Sequence, residues 1–483
     1  MEPTVCDTVL SERGKEKLSV NGYLYTLHSK RTKKTTGEDT YYWRCEKRGC
    51  KGTANTHFED NCHYLKNEKE HTCGAAESSR VHVVKCQNTI KEKASITSDK
   101  PCQIIQDVVS QLDPFVVPYI GSKETINKMI RRVRKEGPQE PSDLQDMFIP
   151  DEYRKTLSGE TFLVSESNIG DDKILLFTTH SNVKKLKDAH FWIMDGTFKT
   201  VPTLFKQLYT IHAPVGPQER SRILPLVYVL MTRKNTECYV QVFRDLLDYA
   251  AESDINLSPE IIITDFEIGV ISAIGSEIPG TQHKGCFFHL GQSIYRKVIS
   301  SGLRTEYGTN ENLSLKIRQM AALAFLPPNE IKDAWLQLKQ TIPDEATHVV
   351  NYFDENYVRG KVRRMLRGQE VRNPPLFPPA LWSVYDRVEA SVPRTQNKVE
   401  AWHRRLEVLL GSAHVGLFKL INELRKEQKN MEDEMECIVR GEIRRKLKKK
   451  DAEREQRILT VFSERENYEI LDFLRALAHN LRF

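Results

Sequence analysis

The stretch Phe191–Lys199, FWIMDGTFK, decides how this chain is read. Phe191, Trp192, Ile193 and Met194 are bulky apolar residues suited to a buried strand, and Gly196 follows where the chain must leave or bend. Between them stands one carboxylate, Asp195. A second unit of the same kind lies at Glu260–Glu267, EIIITDFE, where an apolar run leads straight into Asp265. Such runs predict interior strands covered by helices on both faces. If the two strands lie side by side, their acids converge at one edge and can share one or two divalent cations. A third acid, Glu400, occurs in Thr395–Arg404, TQNKVEAWHR, where Thr395 is expected to cap a helix carrying Asn397, Glu400, Trp402 and His403. Oxygen ligands around an open coordination sphere suit Mg²⁺ or Mn²⁺ better than zinc. A lone acid at a strand end is more often a turn or cap residue; the combination is what makes Asp195, Asp265 and Glu400 the expected metal-binding triad.

Four blocks then follow one another: DGTFK, TDFE, CFFHLGQ at Cys286–Gln292, and T-x-N-x-x-E from Thr395 to Glu400. In this order and spacing the chain resembles the Mutator-like (MULE) transposases of the DDE group over residues 170–411. The resemblance implies an RNase H-like catalytic fold and metal-dependent DNA strand cleavage and transfer. It implies Asp195, Asp265 and Glu400 as the catalytic residues, with double-stranded DNA, both transposon terminal repeats and target, as the partner. Glu267, two residues beyond Asp265, is a possible fourth ligand. Relatives carry a Cys-x-x-His where Cys286 and His289 stand. That pair reads either as a zinc half-site, completed by His403, or as a buried thiol beside a hydrogen-bonded histidine.

The 483 residues, 39% apolar and 29% charged, can bury a large core divided into two to four units. The first residues, MEPTVCDTVLSERGKEKL, hold no apolar signal core, and no run reaches the roughly 18 apolar residues of a membrane helix, so neither secretion nor membrane insertion is expected. Of the ten cysteines, Cys6, Cys45, Cys50, Cys62, Cys73, Cys86 and Cys102 crowd the first part of the chain. Such clustering reads as metal ligation rather than disulfides. The net charge of +6 is compatible with nucleic acid without demanding it.

Residues 1–19 are expected to be disordered. From residue 20 to 75, Tyr23–Tyr25, Tyr41–Cys45, Thr53–Phe58 and Cys62–Lys66 alternate as four short strands. A module this small needs a staple. Cys45, Cys50, His71 and Cys73 supply four ligands at plausible zinc spacing, and zinc would contribute on the order of 10 kcal/mol to its folding. The order of its aromatics, cysteine pair and terminal histidine resembles a FLYWCH zinc finger, with Tyr23 in place of the first Phe. Cys73 departs from that pattern, so Cys62 and His63 stand as competing ligands. Lys30, Arg31, Lys33, Lys34, Arg44, Lys47, Arg48 and Lys51 make the module basic, either as a DNA-binding face or as solvated charge.

Residues 80–160 predict two helices, Ser95–Gln111 and Ser122–Lys135, broken at Asp113–Pro118 and Gly121. They form either a helix-turn-helix with its basic second helix on DNA or a hairpin bracing the next domain. Gly137–Pro150, with three prolines, reads as a linker. Over 165–303, strands at Lys173–Thr179, Phe191–Asp195, Gln207–Val215 and Ile223–Thr232, a helix at Glu237–Ala251 and the Asp265 strand follow in the order of an RNase H-like core. Residues 304–393 are expected to be an all-helical insertion whose basic patch Arg359–Arg367 contacts DNA. The last catalytic helix is placed at 394–415, and a charged helical tail at 416–483 as exposed helices or a short coiled coil.

The expected molecule is thus a multidomain α+β protein: a zinc-stapled β module, then an RNase H-like α/β core interrupted by helices. Its expected role is a nuclear, homo-oligomeric DNA transposase using structural Zn²⁺ and catalytic Mg²⁺ or Mn²⁺. The basic run Arg440–Lys450 adds a nuclear import signal. A domesticated, catalytically silent DNA-binding regulator is the alternative, and a general nuclease the third reading.

Overall fold

The computed structural model describes residues 4–11, 15–33, 38–74, 78–96, 99–135, 140–217, 220–442 and 449–482, in two compact units, 1–139 and 140–483. Lys34, part of the 137–150 linker and most of the 440–450 basic run lie outside the described residues.

The first unit opens with a six-stranded closed barrel: β1 (Val5–Leu10), β2 (Glu16–Val20), β3 (Tyr23–Thr32), β4 (Asp39–Cys45), β5 (Thr53–Glu59) and β6 (Cys62–Glu68). The described part of the stretch expected to be disordered, residues 4–11 and 15–19, is instead in the sheet, because β1 pairs with both β2 and β6 and closes it. The missed cue is Asn21-Gly22, both at positive φ (48° and 80°), a left-handed pair that reverses the chain between β2 and β3. Leu18, Tyr25, Trp43 and Ala54 fill the interior. Val9 and Leu24 on the outside pack against Val81 and Val84 of the helix α1 (Ser78–Ile96).

The expected single helix over Ser95–Gln111 is instead divided. α1 ends at Ile96, and α2 (Pro101–Val109) starts afresh with proline at its first turn, where its missing N–H costs nothing. With α3 (Lys123–Lys135), these helices share one core that includes Ile90, Ile104, Val108, Ile126 and Ile130. Arg134 donates to the backbone of Asp99 (2.6 Å) rather than facing out for a partner.

The second unit is organised by a seven-stranded sheet. In chain order its elements are β7 (Leu163–Ile169), β8 (Asp172–Phe177), α4 (His180–Asp188), β9 (Phe191–Thr197), β10 (Gln207–Val215), β11 (Arg222–Met231), α5 (Thr236–Ala251), β12 (Ile261–Thr264), α6 (Ile268–Glu277), β13 (Gln282–Gly285) and α7 (Phe287–Ser300). The spatial order is β13-β12-β9-β10-β11-β8-β7. β9, β10 and β11 run antiparallel, and after α5 the chain returns as β12 parallel to β9. α5 starts where the Asn235 side chain accepts the N–H of Cys238 (3.1 Å), and its Tyr239, Val242, Phe243 and Leu246 are buried on the sheet.

Strand alternation divides the core. Trp192, Met194, Tyr209, Ile211 and Ile262 face α4, α5 and α6. Phe191, Ile193, Ile261 and Ile263 face the other way, toward Val399. The 140–150 segment is not a free linker: Ile149 is fully buried, and the Glu140 carboxylate accepts N–H bonds from Leu417 (2.5 Å) and Phe418 (3.4 Å) at the start of the helix Leu417–Val439.

The 304–393 region is helical except for one hairpin, β14 (Val362–Leu366) with β15 (Gln369–Arg372), so the expectation of an all-helical insertion is corrected. The described parts of the C-terminal segment are helical, at Leu417–Val439, Lys449–Ser463 and Ile470–Ala478, but are not an exposed tail. Leu420, Ile421 and Leu424 join the sheet core, and Phe473, Leu474 and Leu477 join the core of the insertion around Trp335 and Phe353. Charge mixing along these helices concealed a continuous apolar stripe. Among the described residues, no helix is long and apolar enough to cross a membrane.

Candidate metal and catalytic sites

Asp195 sits near the end of β9 and Asp265 immediately after β12. The register pairs Ile261 with Phe191, Ile262 with Trp192 and Ile263 with Ile193. Two residues further along, Asp265 comes beside Asp195, and the strand period of two puts both acids on the face of Ile193 and Ile263. That face is covered by the helix Asn397–Leu410, whose first turn carries Glu400. Thr395, the expected cap, does not cap it. The preceding residue, Gln396, is fully buried and donates to the carbonyls of Met194 (2.8 Å) and Ile263 (3.2 Å), one residue before Asp195 and two before Asp265. One amide thus holds the helix start and both strands together.

Electrostatics join the three acids. Burial pushes the Asp265 carboxyl up, His289 pulls it down and Asp195 pushes it up again, for a net rise. Glu400 is raised by burial, lowered by His289 and raised by Asp195. Burial would lower His289, but its bond to Cys286 and the charges of Cys286, Asp195 and Asp265 outweigh it and bring it to about 9. Crowded acids resist ionisation together, and a nearby cation relieves them. His403, one turn after Glu400, places Nδ1 3.4 Å from Asp195 Oδ2, while its Nε2 lies 3.2 Å from Thr210 Oγ1. Thr210 in turn donates to the Asp195 carbonyl (3.2 Å). Glu267 faces Lys234 at 3.4 Å, as Glu400 Oε2 faces Arg404 at 3.5 Å, and burial together with Asp265 still raises the Glu267 carboxyl.

Whether this donor set fits a cation can be judged from its unmatched atoms. Glu400 Oε1 is buried without a hydrogen-bond partner, one of several such atoms among the described residues, and it is the one that belongs to the three acids. Three carboxylates offering oxygen fit Mg²⁺ or Mn²⁺. The carboxylates do not form as tight a cluster as the cysteine set described next, which among the described residues is the one with all ligand atoms within 4.8 Å of one another. Gln396, Thr210 and the Tyr209 hydroxyl, which is buried and unpartnered, escaped sequence reasoning. The alternation of β10 was the cue for Thr210, which pairs directly with Asp195.

Cys45, Cys50, His71 and Cys73 meet at one side of the barrel. Cys45 and Cys73 sulfurs are 3.8 Å apart, and His71 Nδ1 lies 3.5 Å from Cys50 and 3.6 Å from Cys73. A tetrahedron with Zn–S of about 2.3 Å separates its sulfurs by about 3.8 Å, so the set has zinc dimensions. Burial pushes the Cys50 thiol up, but the backbone N–H groups of Gly52 and Thr72 outweigh it and bring it to about 5, ready as a thiolate. The His71 Nε2 lies 2.6 Å from the Tyr25 hydroxyl, which itself donates to Glu68, and Tyr23 stacks on the imidazole at 3.5 Å. Such support orients a metal-binding imidazole. A Cβ on Gly52 would stand 2.6 Å from the His71 ring, so only glycine fits there. The competitors fall away: His63 is buried inside the barrel with Nδ1 2.9 Å from Thr56 Oγ1, and Cys62 is not in the cluster.

A comparison with curated proteins returns no match. Comparison with family models does: the chain carries an N-terminal FLYWCH zinc finger domain over residues 8–72 and a MULE transposase domain over residues 191–293, the stretch from β9 into α7.

Proposed function

We propose that this protein is a DDE-type DNA transposase whose second unit holds an RNase H-like core. In this reading Asp195, Asp265 and Glu400 bind Mg²⁺ or Mn²⁺ at one rim of the sheet and perform DNA strand cleavage and transfer. The observation that carries it is the parallel pairing of β12 with β9, which brings two strand-end acids together on the face covered by the Glu400 helix. The strand order β11-β10-β9-β12-β13, with three antiparallel strands and a crossover helix, supports the fold assignment.

When bound, the metal would lower the pKa of an attacking water or DNA 3′-hydroxyl and stabilise the leaving oxygen. The chain's own residues do the rest. Gln396 fixes the spacing of the two strands and the helix, and His403 and Thr210 hold Asp195 in orientation. Cys45, Cys50, His71 and Cys73 would bind structural Zn²⁺ and so hold the barrel's basic strands, where Lys30 and Arg31 lie over Tyr41 and Tyr42, in shape for DNA. The protein would work in the nucleus as a homo-oligomer, because two transposon ends are cut together.

Purified protein with Mg²⁺ should nick DNA carrying the inverted repeats that flank its coding region and join the cut ends to a target. Asp195→Asn should reduce both products to background while leaving DNA binding intact. Undiminished cleavage by that variant refutes the assignment, and binding without any cleavage by the unaltered protein favours a silent regulator.

A further inference from the structure

The hairpin β14–β15 has no role in the site described above, yet it is built with care at its root and left bare at its tip. The root is Asp354, 2% exposed, which accepts bonds from Trp335 Nε1 (2.9 Å) and Arg359 Nε (2.7 Å) and lies 3.3 Å from Lys339 and 3.8 Å from Arg372. Arg372 also donates to the Gly360 carbonyl (2.7 Å). At Gly360, with φ of 82°, a Cβ would lie 1.8 Å from the Asn373 carbonyl oxygen, so the two arms cross where nothing but glycine fits. The tip is the Arg367-Gly368 pair, both at positive φ (50° and 78°), which makes a tight reversal.

Every residue of β14 is exposed, including Val362, Met365 (61%) and Leu366 (52%). Arg363, Arg364 and Arg367 stand among them and form no ion pair with a described carboxylate. Cations alone would merely guard an open sheet edge. Apolar side chains at the turn are not explained that way. The root also has a particular position: Phe266, the residue after Asp265, packs edge-on against Tyr357 (5.6 Å) and Phe377 (5.0 Å), which bracket the hairpin in sequence. The rib therefore stands on the residue that follows one of the three acids.

We propose that β14–β15 is a DNA wedge: Met365 and Leu366 enter a base step of duplex DNA beside the acid rim, and Arg363, Arg364 and Arg367 hold the phosphates around it. Apolar wedges flanked by cations are how proteins unstack and kink a duplex, and each phosphate held adds to the salt dependence of binding. The inference rests on DNA being the substrate, as proposed above, and adds that the duplex is opened at the site of attack.

The test uses the full chain and short random-sequence duplexes. A photo-crosslinking residue at position 365 should join to DNA, and one at the exposed Val439 should not. Bound thymines should gain permanganate reactivity, and the double variant Met365→Ser, Leu366→Ser should lose that gain with little change in affinity. The variant Arg363→Ala, Arg364→Ala, Arg367→Ala should lower the slope of log affinity against log salt by up to about 3, at ~0.9 per lost phosphate contact. Crosslinks from position 365 only to a second protein chain, or to DNA without any gain in thymine reactivity, overturn the wedge. If Mg²⁺-dependent cleavage persists while position 365 never reaches DNA, the wedge fails and the transposase reading stands. If position 365 reaches opened DNA but no cleavage occurs, the reverse holds.

Discussion

Glu400 shows how a single carboxylate is set up for a cation. Its Oε1 is buried and unpartnered, its Oε2 lies 3.5 Å from Arg404, and burial together with Asp195 raises its carboxyl against the pull of His289, Arg404 and His403. Because the folded state holds the proton more tightly than the unfolded one, stability is lost as pH rises from the ordinary carboxylate range through the raised folded value, and stays lost above it. Glu400→Gln removes this penalty. In EDTA at neutral pH the variant should be at least as stable as the parent in urea titrations, with the difference shrinking in acid, while stabilisation by added Mn²⁺ is lost. A variant markedly less stable in EDTA would mean that Glu400 is a structural residue. The acids were legible from their place at the ends of apolar runs. The amide that positions them was not, because Gln396 has no pattern and acts only through two carbonyls from distant strands.

Between elements, the decisive contact is the docking of the Asn397–Leu410 helix on β9 and β12. Gln396 bonds both strands, and Gln396→Leu keeps the volume but leaves buried carbonyls without their donor. The expected cost is about 1–3 kcal/mol in chemical denaturation, with cleavage falling more than DNA binding as the third acid shifts. Periodicity revealed β8 to β12 and α5 but not the edge strands β7 and β13, and the parallel pairing of β9 with β12 followed from the crossover. It failed where turn chemistry decides: Asn21-Gly22 opened a barrel where disorder was expected, and Arg367-Gly368 put a hairpin among helices. Both are short reversals whose positive φ angles outweigh the surrounding composition.

At the scale of the molecule, each of the two units has its own core. The first depends on four ligands around a barrel whose interior is only a handful of residues, including Leu18, Tyr25 and Trp43. The second buries a two-faced sheet and a helical insertion. Scanning calorimetry should show separate transitions for the units. A zinc chelator should abolish the transition of residues 1–139 while leaving that of 140–483 in place. One transition that shifts as a whole on chelation would show the units to be coupled, and no shift would show that the cluster holds no metal.

The sequence by itself determined the chemistry: which residues are acids or thiols, that apolar runs end on Asp195 and Asp265, and that most of the cysteines crowd the first part of the chain. These are local properties, carried by residue type and spacing. Only the tertiary structure decided which strands are neighbours, that His71 rather than His63 turns to the cysteines, and that the C-terminal helices join two cores instead of trailing. Those outcomes depend on contacts between residues far apart in the chain, where the burial of one apolar stripe against another outweighs what either segment shows alone.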